Sequence, residues 1–202
     1  ELPAPTQFVI NLSEFVKKYI LLIVFAIGIF IFILKRIYST TKGREVFDAF
    51  FLKLPVVGTL IRKVAVAKFT RTLGTLISSG VPILEGLDVV ARTAGNVIVE
   101  KAILKTRTSI SEGRSIAEPL SETGVFPSMV VQMISVGEAT GALDQMLTKI
   151  ADFYDTEVDD AVGALTASIE PVLMIFLGGS IGGLVIAMYL PVFTMAGAMT
   201  GG

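Results

Sequence analysis

An apolar run near the carboxyl end constrains this chain more than any other feature. Residues 171–190 carry no charge, and Glu170 is the one charged residue between positions 163 and 202. A helix needs about 20 mostly apolar residues to cross the hydrocarbon core of a bilayer. A buried helix of a soluble protein is the alternative, but such a helix rarely lacks charge on every face. We therefore predict a membrane span here.

A second apolar run lies between Tyr19 and Leu34, with lysine or arginine pairs at both ends. Such long side chains reach toward the interface, so sixteen uncharged residues are enough to span. The richness in β-branched and aromatic residues is also typical of a buried strand, but the run far exceeds the usual strand length. Pro3 and Pro5 disfavour an early helix, so residues 1–14 are predicted to be a loop that opens a helix.

Positive charge gives the orientation. Two lysines precede the first span, and five Lys or Arg residues follow within twenty positions, which places the chain from residue 36 onward in the cytoplasm. The predicted order is a non-cytoplasmic segment 1–14, a transmembrane helix 15–36, a cytoplasmic helical-bundle domain 37–166, a transmembrane helix 167–196 and a non-cytoplasmic tail 197–202. Because the sequence opens on Glu1 rather than Met, we expect it to be part of a longer protein.

The region between the spans is predicted to be all-α. Gly80 is expected to end one helix and Pro82 to begin the next, and Thr140–Gly141 to turn the chain before a long helix from Leu143 into the last span. Short loops favour an antiparallel bundle of about six cytoplasmic helices between two transmembrane helices. The predicted helices are Arg44–Leu52, Thr59–Ser79, Ile83–Thr93, Val97–Ser111, Ser115–Glu122 and Pro127–Glu138.

Charge is divided unevenly along this region. Residues 35–114 hold fourteen Lys or Arg and six acids, whereas residues 115–170 hold one Lys and ten acids. Three interpretations are open: the two halves neutralise each other within the bundle, they face another subunit or an unlike partner, or the basic face meets anionic lipid. Nucleic acid is not an expected partner, because the basic residues are dispersed and lack an aromatic platform.

The composition argues against most catalytic chemistry. The chain has no Cys and no His, which removes the usual zinc and copper ligands and the imidazole of a serine triad. No glycine-rich phosphate loop is evident. A dense set of acids could hold calcium or magnesium, form a solvated helix face, or dock a basic partner. We predict no catalytic, cofactor or metal site. The acids are Asp152, Asp155, Glu157, Asp159 and Asp160.

Two carboxylates outside that set are candidate contacts. Glu138 is either an exposed helix end or a group that pairs with a base such as Arg71 or accepts backbone N–H groups at the following helix start. Glu170 marks the aqueous boundary of the span or a partly buried contact between spans. Pro171 beside it is expected to kink a continuous helix.

Four glycines in the last span form two overlapping pairs of small residues. The pairs Gly178/Gly182 and Gly179/Gly183 would let a second helix approach closely, although such patterns also occur by chance. The partner is either the first span or a span of another subunit, and the sequence does not decide between them; a homo-oligomer is expected.

Four stretches in this order resemble one known family. They are Phe69–Leu87, Gly137–Leu143, Ile169–Pro171 and the glycine-rich span that ends Ala187–Phe193. The chain is similar to the second half of the inner-membrane platform protein of type IV pili and type II secretion systems (PilC/GspF family). That family has two related cytoplasmic helical domains and three spans, of which the resemblance covers the second domain and the second and third spans.

The resemblance implies a mechanical function in the bacterial inner membrane. A platform protein couples a cytoplasmic hexameric ATPase to the insertion or removal of pilin or pseudopilin subunits, alongside other inner-membrane assembly proteins, and it is not regarded as an enzyme. Two other classes stay open. One is a small channel or transporter subunit, which would need polar pore-lining residues, and the other is a membrane-bound enzyme.

Overall fold

The computed structural model describes residues 4–200, with side chains from residue 6 to residue 190. All regular structure in this range is helical, which confirms the predicted all-α fold, and six helices lie between the two long apolar ones. The helices are α1 (Ala4–Tyr38), α2 (Thr41–Lys53), α3 (Val57–Ser78), α4 (Ile83–Thr93), α5 (Val97–Ser111), α6 (Ala117–Glu122), α7 (Ser128–Thr140) and α8 (Leu143–Thr200).

The first helix starts earlier than the sequence predicted. It begins at Ala4, so the expectation of a loop up to residue 14 is wrong for the described residues. Pro5 falls in the first turn of α1, where a backbone N–H would have no partner inside the helix. The missing N–H of proline therefore costs nothing at that position.

The chain divides into two compact units. One unit holds α1 up to Arg36 and α8 from Leu165 onward, and the other runs from Ile37 to Ala164. In the first unit the Thr6 hydroxyl donates to the carbonyl of Ala187 at 2.8 Å, which joins α1 to α8. Two helices are long and apolar enough to cross a membrane, Thr6–Tyr38 and Leu143–Leu190.

The second unit has its own hydrophobic core, drawn from α3 to α7 and the start of α8. Phe69 on α3 packs against Phe126, with 4.8 Å between ring centroids. Each fully buried aliphatic or aromatic side chain contributes about 1.5–3 kcal/mol. Other large side chains with almost no exposure are Leu73, Leu87, Ile103, Leu120, Ile134, Leu147 and Ile150.

The turn between α3 and α4 forms as predicted at Gly80. Its φ is +83°, a conformation that glycine adopts without steric cost. The Gly80 N–H donates to the carbonyl of Ile77 at 2.9 Å and the Val81 N–H donates to Leu76 at 3.0 Å, the bond pattern of a Schellman motif. Pro82 then directly precedes the first residue of α4.

Candidate functional site

The turn from α7 into α8 depends on two glycines of the stretch Gly137–Leu143. Gly141 has a φ of +73°, and its N–H and that of Ala142 both donate to the Gly137 carbonyl. A Cβ on Gly137 would lie 3.0 Å from Cα of Leu143 and from Cγ of Met146. Side chains at either glycine would therefore disturb the point where α8 begins.

Glu138, in the same stretch, contacts the backbone of α6. The N–H of Ile116, just before the first residue of α6, donates to Oε1 at 3.1 Å and to Oε2 at 3.0 Å. The carboxylate therefore satisfies a backbone donor that the short helix leaves unpaired. The prediction placed the donors at the start of the helix that follows Glu138. The observed donor lies instead at the start of α6, which precedes Glu138 in the chain. The suggested pairing of Glu138 with Arg71 is wrong, because Arg71 pairs elsewhere.

Arg71 on α3 bridges two carboxylates of α8. Its Nη2 donates to Asp152 Oδ1 at 2.7 Å and to Asp155 Oδ2 at 2.5 Å. Lys63, two turns earlier on α3, donates to Glu157 Oε2 at 2.6 Å. The partner numbers rise on α8 as they fall on α3, so these two stretches run antiparallel. We call these five residues the α3–α8 ion-pair cluster.

The charges of this cluster lie over tight apolar packing. Leu147 and Ile150 have no exposed surface, and a Cβ on Gly74 of α3 would lie 3.2 Å from Cβ of Leu147. Burial raises the pKa of Tyr154, with a smaller contribution from the charge of Glu157. The hydrogen bond to Asp155, followed by that to Asp152, raises the pKa of Arg71. Exposed ion pairs contribute about 0–1 kcal/mol each, so apolar packing, more than the charges, holds α3 to α8 in this register.

These contacts favour one interpretation of the uneven charge. Basic residues of positions 35–114 pair with acids of positions 115–170 in the α3–α8 cluster and again around Arg114. The Arg114 guanidinium lies 3.2 Å from Glu118 and 2.7 Å from Glu122, and Lys105 lies 3.2 Å from Glu122. These hydrogen bonds, that from Arg114 first, lower the pKa of Glu122. At these two places the halves neutralise each other within the bundle.

The acidic set is accordingly divided. Three of its members pair with Arg71 or Lys63, whereas Asp159 and Asp160 are exposed. Within residues 4–200, no group of three His, Cys, Asp or Glu side chains is arranged to hold a metal ion. A docking role for the two exposed aspartates stays a prediction.

The four glycines of the last span are placed apart from these contacts. A Cβ on Gly178, Gly179, Gly182 or Gly183 would meet no described atom within 4 Å. The first span of this chain therefore does not cover them, and their close-packed partner stays a prediction. Glu170 and Pro171 are exposed and lie inside α8, which is assigned as helix from Leu143 to Thr200. The kink at Pro171 also stays a prediction.

Sequence reasoning missed a polar contact between α2 and α5. Asp48 is 5% exposed, and its Oδ2 accepts the Val97 N–H at 2.8 Å. Asn96 caps α5 by accepting the N–H groups of Ile98 at 2.9 Å and Val99 at 3.3 Å. Asn directly before a predicted helix is a capping signal that the sequence offered. The burial of Asp48 had no such signal.

Comparison with known proteins places the chain in one protein family. Residues 69–191 match the family described as type II secretion system (T2SS), protein F. That stretch covers more than half of the chain and includes the contacts of Arg71 with α8, the α7–α8 turn and the four glycines of the last span. The chain belongs to this family, as the resemblance predicted.

Individual relatives extend the similarity to almost the whole chain. The type IV pilus assembly protein PilC of Myxococcus xanthus is 59% identical over 98% of the chain and 48% of its own length. PilC of Thermus thermophilus is 46% identical over 99% of the chain and 50% of its own length. The type II secretion system protein F of Pseudomonas aeruginosa is 35% identical over 96% and 48%. The chain thus spans about half the length of the curated relatives it matches.

Proposed function

We propose that this chain is the second half of an inner-membrane platform protein for type IV pilus assembly or type II secretion. In this role it couples a cytoplasmic hexameric assembly ATPase to the insertion or removal of pilin or pseudopilin subunits. The names of the relatives support the process, and the family membership supports the class of component. We assign the chain a mechanical and not an enzymatic role.

One observation supports the mechanism most directly: α8 is a single helix of 58 residues that contains both the bundle contacts and the apolar span. Its first five turns contain the three acids of the α3–α8 ion-pair cluster and the buried residues Leu147 and Ile150. A helix is held by hydrogen bonds between successive turns, so a helix that stays intact carries a shift of one end along its axis. We infer that α8 transmits movement of the bundle, driven by the ATPase, into the membrane.

The proposed topology follows from the positive-inside rule. The bundle lies in the cytoplasm, and residues before 15 and after 196 lie in the periplasm. The chain has no Cys, so single cysteines at Thr6, Ser111 and Thr200 are informative in intact cells. A membrane-impermeant maleimide should label the first and third but not Ser111→Cys. Labelling of Ser111→Cys from outside would overturn the topology.

The coupling to an ATPase needs a test in native membranes with the full-length protein. A photo-reactive amino acid at exposed bundle positions, one at a time, should give cross-links to the cognate assembly ATPase, and more of them during active assembly. The same reactive group at Leu21 in α1 serves as a control that should not reach the ATPase. Absence of bundle cross-links, together with ion flux through the reconstituted protein, would favour a channel subunit instead.

A further inference from the structure

Helix α2 buries a carboxylate and exposes apolar side chains, which is the reverse of the usual pattern. It buries Asp48, whereas it exposes 69% of Val46, 58% of Phe50 and 41% of Phe51. Just after α2 in the chain, Val56 and Val57 are also exposed, by 59% and 42%. We call these five apolar residues the α2 apolar face. Grouped exposed side chains of this size mark a surface that contacts something.

The charges around this face all have one sign. Lys42, Val46, Phe50 and Lys53 follow each other at spacings of four, four and three, so they share one side of α2. Both lysines are exposed. The apolar stripe therefore has a positive charge at each end.

Both acids of α2 have partners on α5. Glu45 pairs with Lys101 of α5 at 2.6 Å, and Asp48 accepts the Val97 N–H. The Glu45 side chain is 41% exposed but its charge is paired with Lys101, so neither acid of α2 offsets the charges of Lys42 and Lys53. Lysine with phenylalanine and valine, and no unpaired acid, is the composition of a helix that lies in the surface of an anionic membrane.

The position of α2 in the chain indicates what covers the α2 apolar face. Only Ser39 and Thr40 separate it from the end of α1, and two residues extend about 7 Å at most. The ring of Tyr38 at the end of α1 contacts the ring of Phe47, with 6.3 Å between centroids, and its hydroxyl donates to Asp48 at 3.4 Å. Helix α2 is therefore held next to the place where α1 would leave the bilayer.

We propose that α2 lies in the interface of the bilayer, with the α2 apolar face at the boundary between headgroups and acyl chains. Lys42 and Lys53 contact anionic headgroups on either side of the stripe. The proposal rests on α1 as a membrane span, which belongs to the proposed function. The contact would fix the height of the bundle above the membrane, because Asp48 ties α2 to the start of α5.

Spin labels on the full-length protein test this in vesicles. Single cysteines at Val46 and Phe50 report on α2, Leu21→Cys reports on the span, and Val89→Cys is a matched control on α4 that is also exposed. The probes are oxygen, which concentrates in lipid, and a water-soluble nickel chelate. Vesicles are made of phosphatidylcholine alone and of phosphatidylcholine with phosphatidylglycerol.

The expected result is that the labels at 46 and 50 relax faster with oxygen than with the nickel chelate in phosphatidylglycerol vesicles, whereas the label at 89 shows the reverse. The double variant Lys42→Glu/Lys53→Glu should shift the labels at 46 and 50 toward the chelate. Lys149→Glu, an exposed charge reversal on α8, should not.

Three results would overturn the proposal, and they differ in meaning. Chelate access at 46 and 50, with Leu21→Cys still in lipid, refutes the interfacial position of α2 alone. Protection of 46 and 50 from both probes shows that a second copy or another protein covers the face. Chelate access at Leu21→Cys removes the span itself, and the proposed function with it.

Discussion

Replacing Glu138 by Ala should loosen the start of α6 without unfolding the bundle. The carboxylate accepts the Ile116 N–H at 3.0–3.1 Å, and Ile116 itself is 6% exposed. A buried donor left without an acceptor costs about 1–3 kcal/mol. At 1.4 kcal/mol per factor of ten, the Ile116 amide should exchange its hydrogen about 5 to 150 times faster. Hydrogen exchange read by mass spectrometry on the detergent-solubilised protein measures this directly.

Two matched variants sharpen the test. Glu138→Gln keeps a carbonyl acceptor, so its exchange should lie between those of the parent and of Glu138→Ala. Glu118→Ala removes an exposed carboxylate from α6 itself and should leave the Ile116 amide protected. If Glu138→Ala exchanges at the parental rate, the carboxylate does not support α6 and the reasoning fails.

Three further changes test other parts of the account. Gly141→Ala places a side chain in the left-handed region and should cost about 1–2 kcal/mol, seen as a lower midpoint in thermal denaturation. Arg114→Ala should raise the pKa of Glu122, because the hydrogen bond from Arg114 holds that pKa below its ordinary 4.5. The stability that this pair adds is present above pH 4.5, and it is lost as the pH falls through the lower pKa of Glu122 in the folded state. Gly182→Leu should weaken self-association in detergent, because a larger side chain prevents close approach of helices.

The two glycine changes have controls on α8. Gly163→Ala lies in the interior of α8 with no neighbour within 4 Å of its Cβ, so it should raise the midpoint slightly. Acid stability that is identical in the parent and Arg114→Ala would contradict the Glu122 assignment. Leu177→Ala and Leu184→Ala should reduce association less than Gly182→Leu, and equal effects would mean that the glycines are incidental.

The helices could be predicted closely because local signals mark their ends. Ile83–Thr93 and Val97–Ser111 have the predicted bounds, since Pro82 precedes the former and Asn96 caps the latter. Gly80 and Gly141 have positive φ as their places between helices required. These signals depend on residues within one turn of each other, which a single sequence displays.

The side-chain partners could not be predicted in the same way. Arg71 meets Asp152 and Asp155 because α3 and α8 pack antiparallel in one register, and that register is decided by distant packing such as Gly74 against Leu147. Glu138 offered two sorts of partner, and sequence did not decide between them. The burial of Asp48 likewise depends on where α5 begins in space.

Uncoupling α8 between its two ends tests the central claim most directly. Residues 161–166 lie after the ion-pair cluster and before Glu170, inside the continuous helix. Replacing them in the full-length protein by six alternating Gly and Ser residues should break the helix, since each Gly costs about 1 kcal/mol relative to Ala. Six alanines at the same positions keep both the length and the helix.

The measurement is the amount of surface pilin or secreted substrate, at equal levels of platform protein in the membrane. The account predicts that the Gly-Ser variant loses this output while retaining its cross-links to the ATPase, and that the all-Ala variant keeps most of it. Full output from the Gly-Ser variant would contradict transmission of movement through α8.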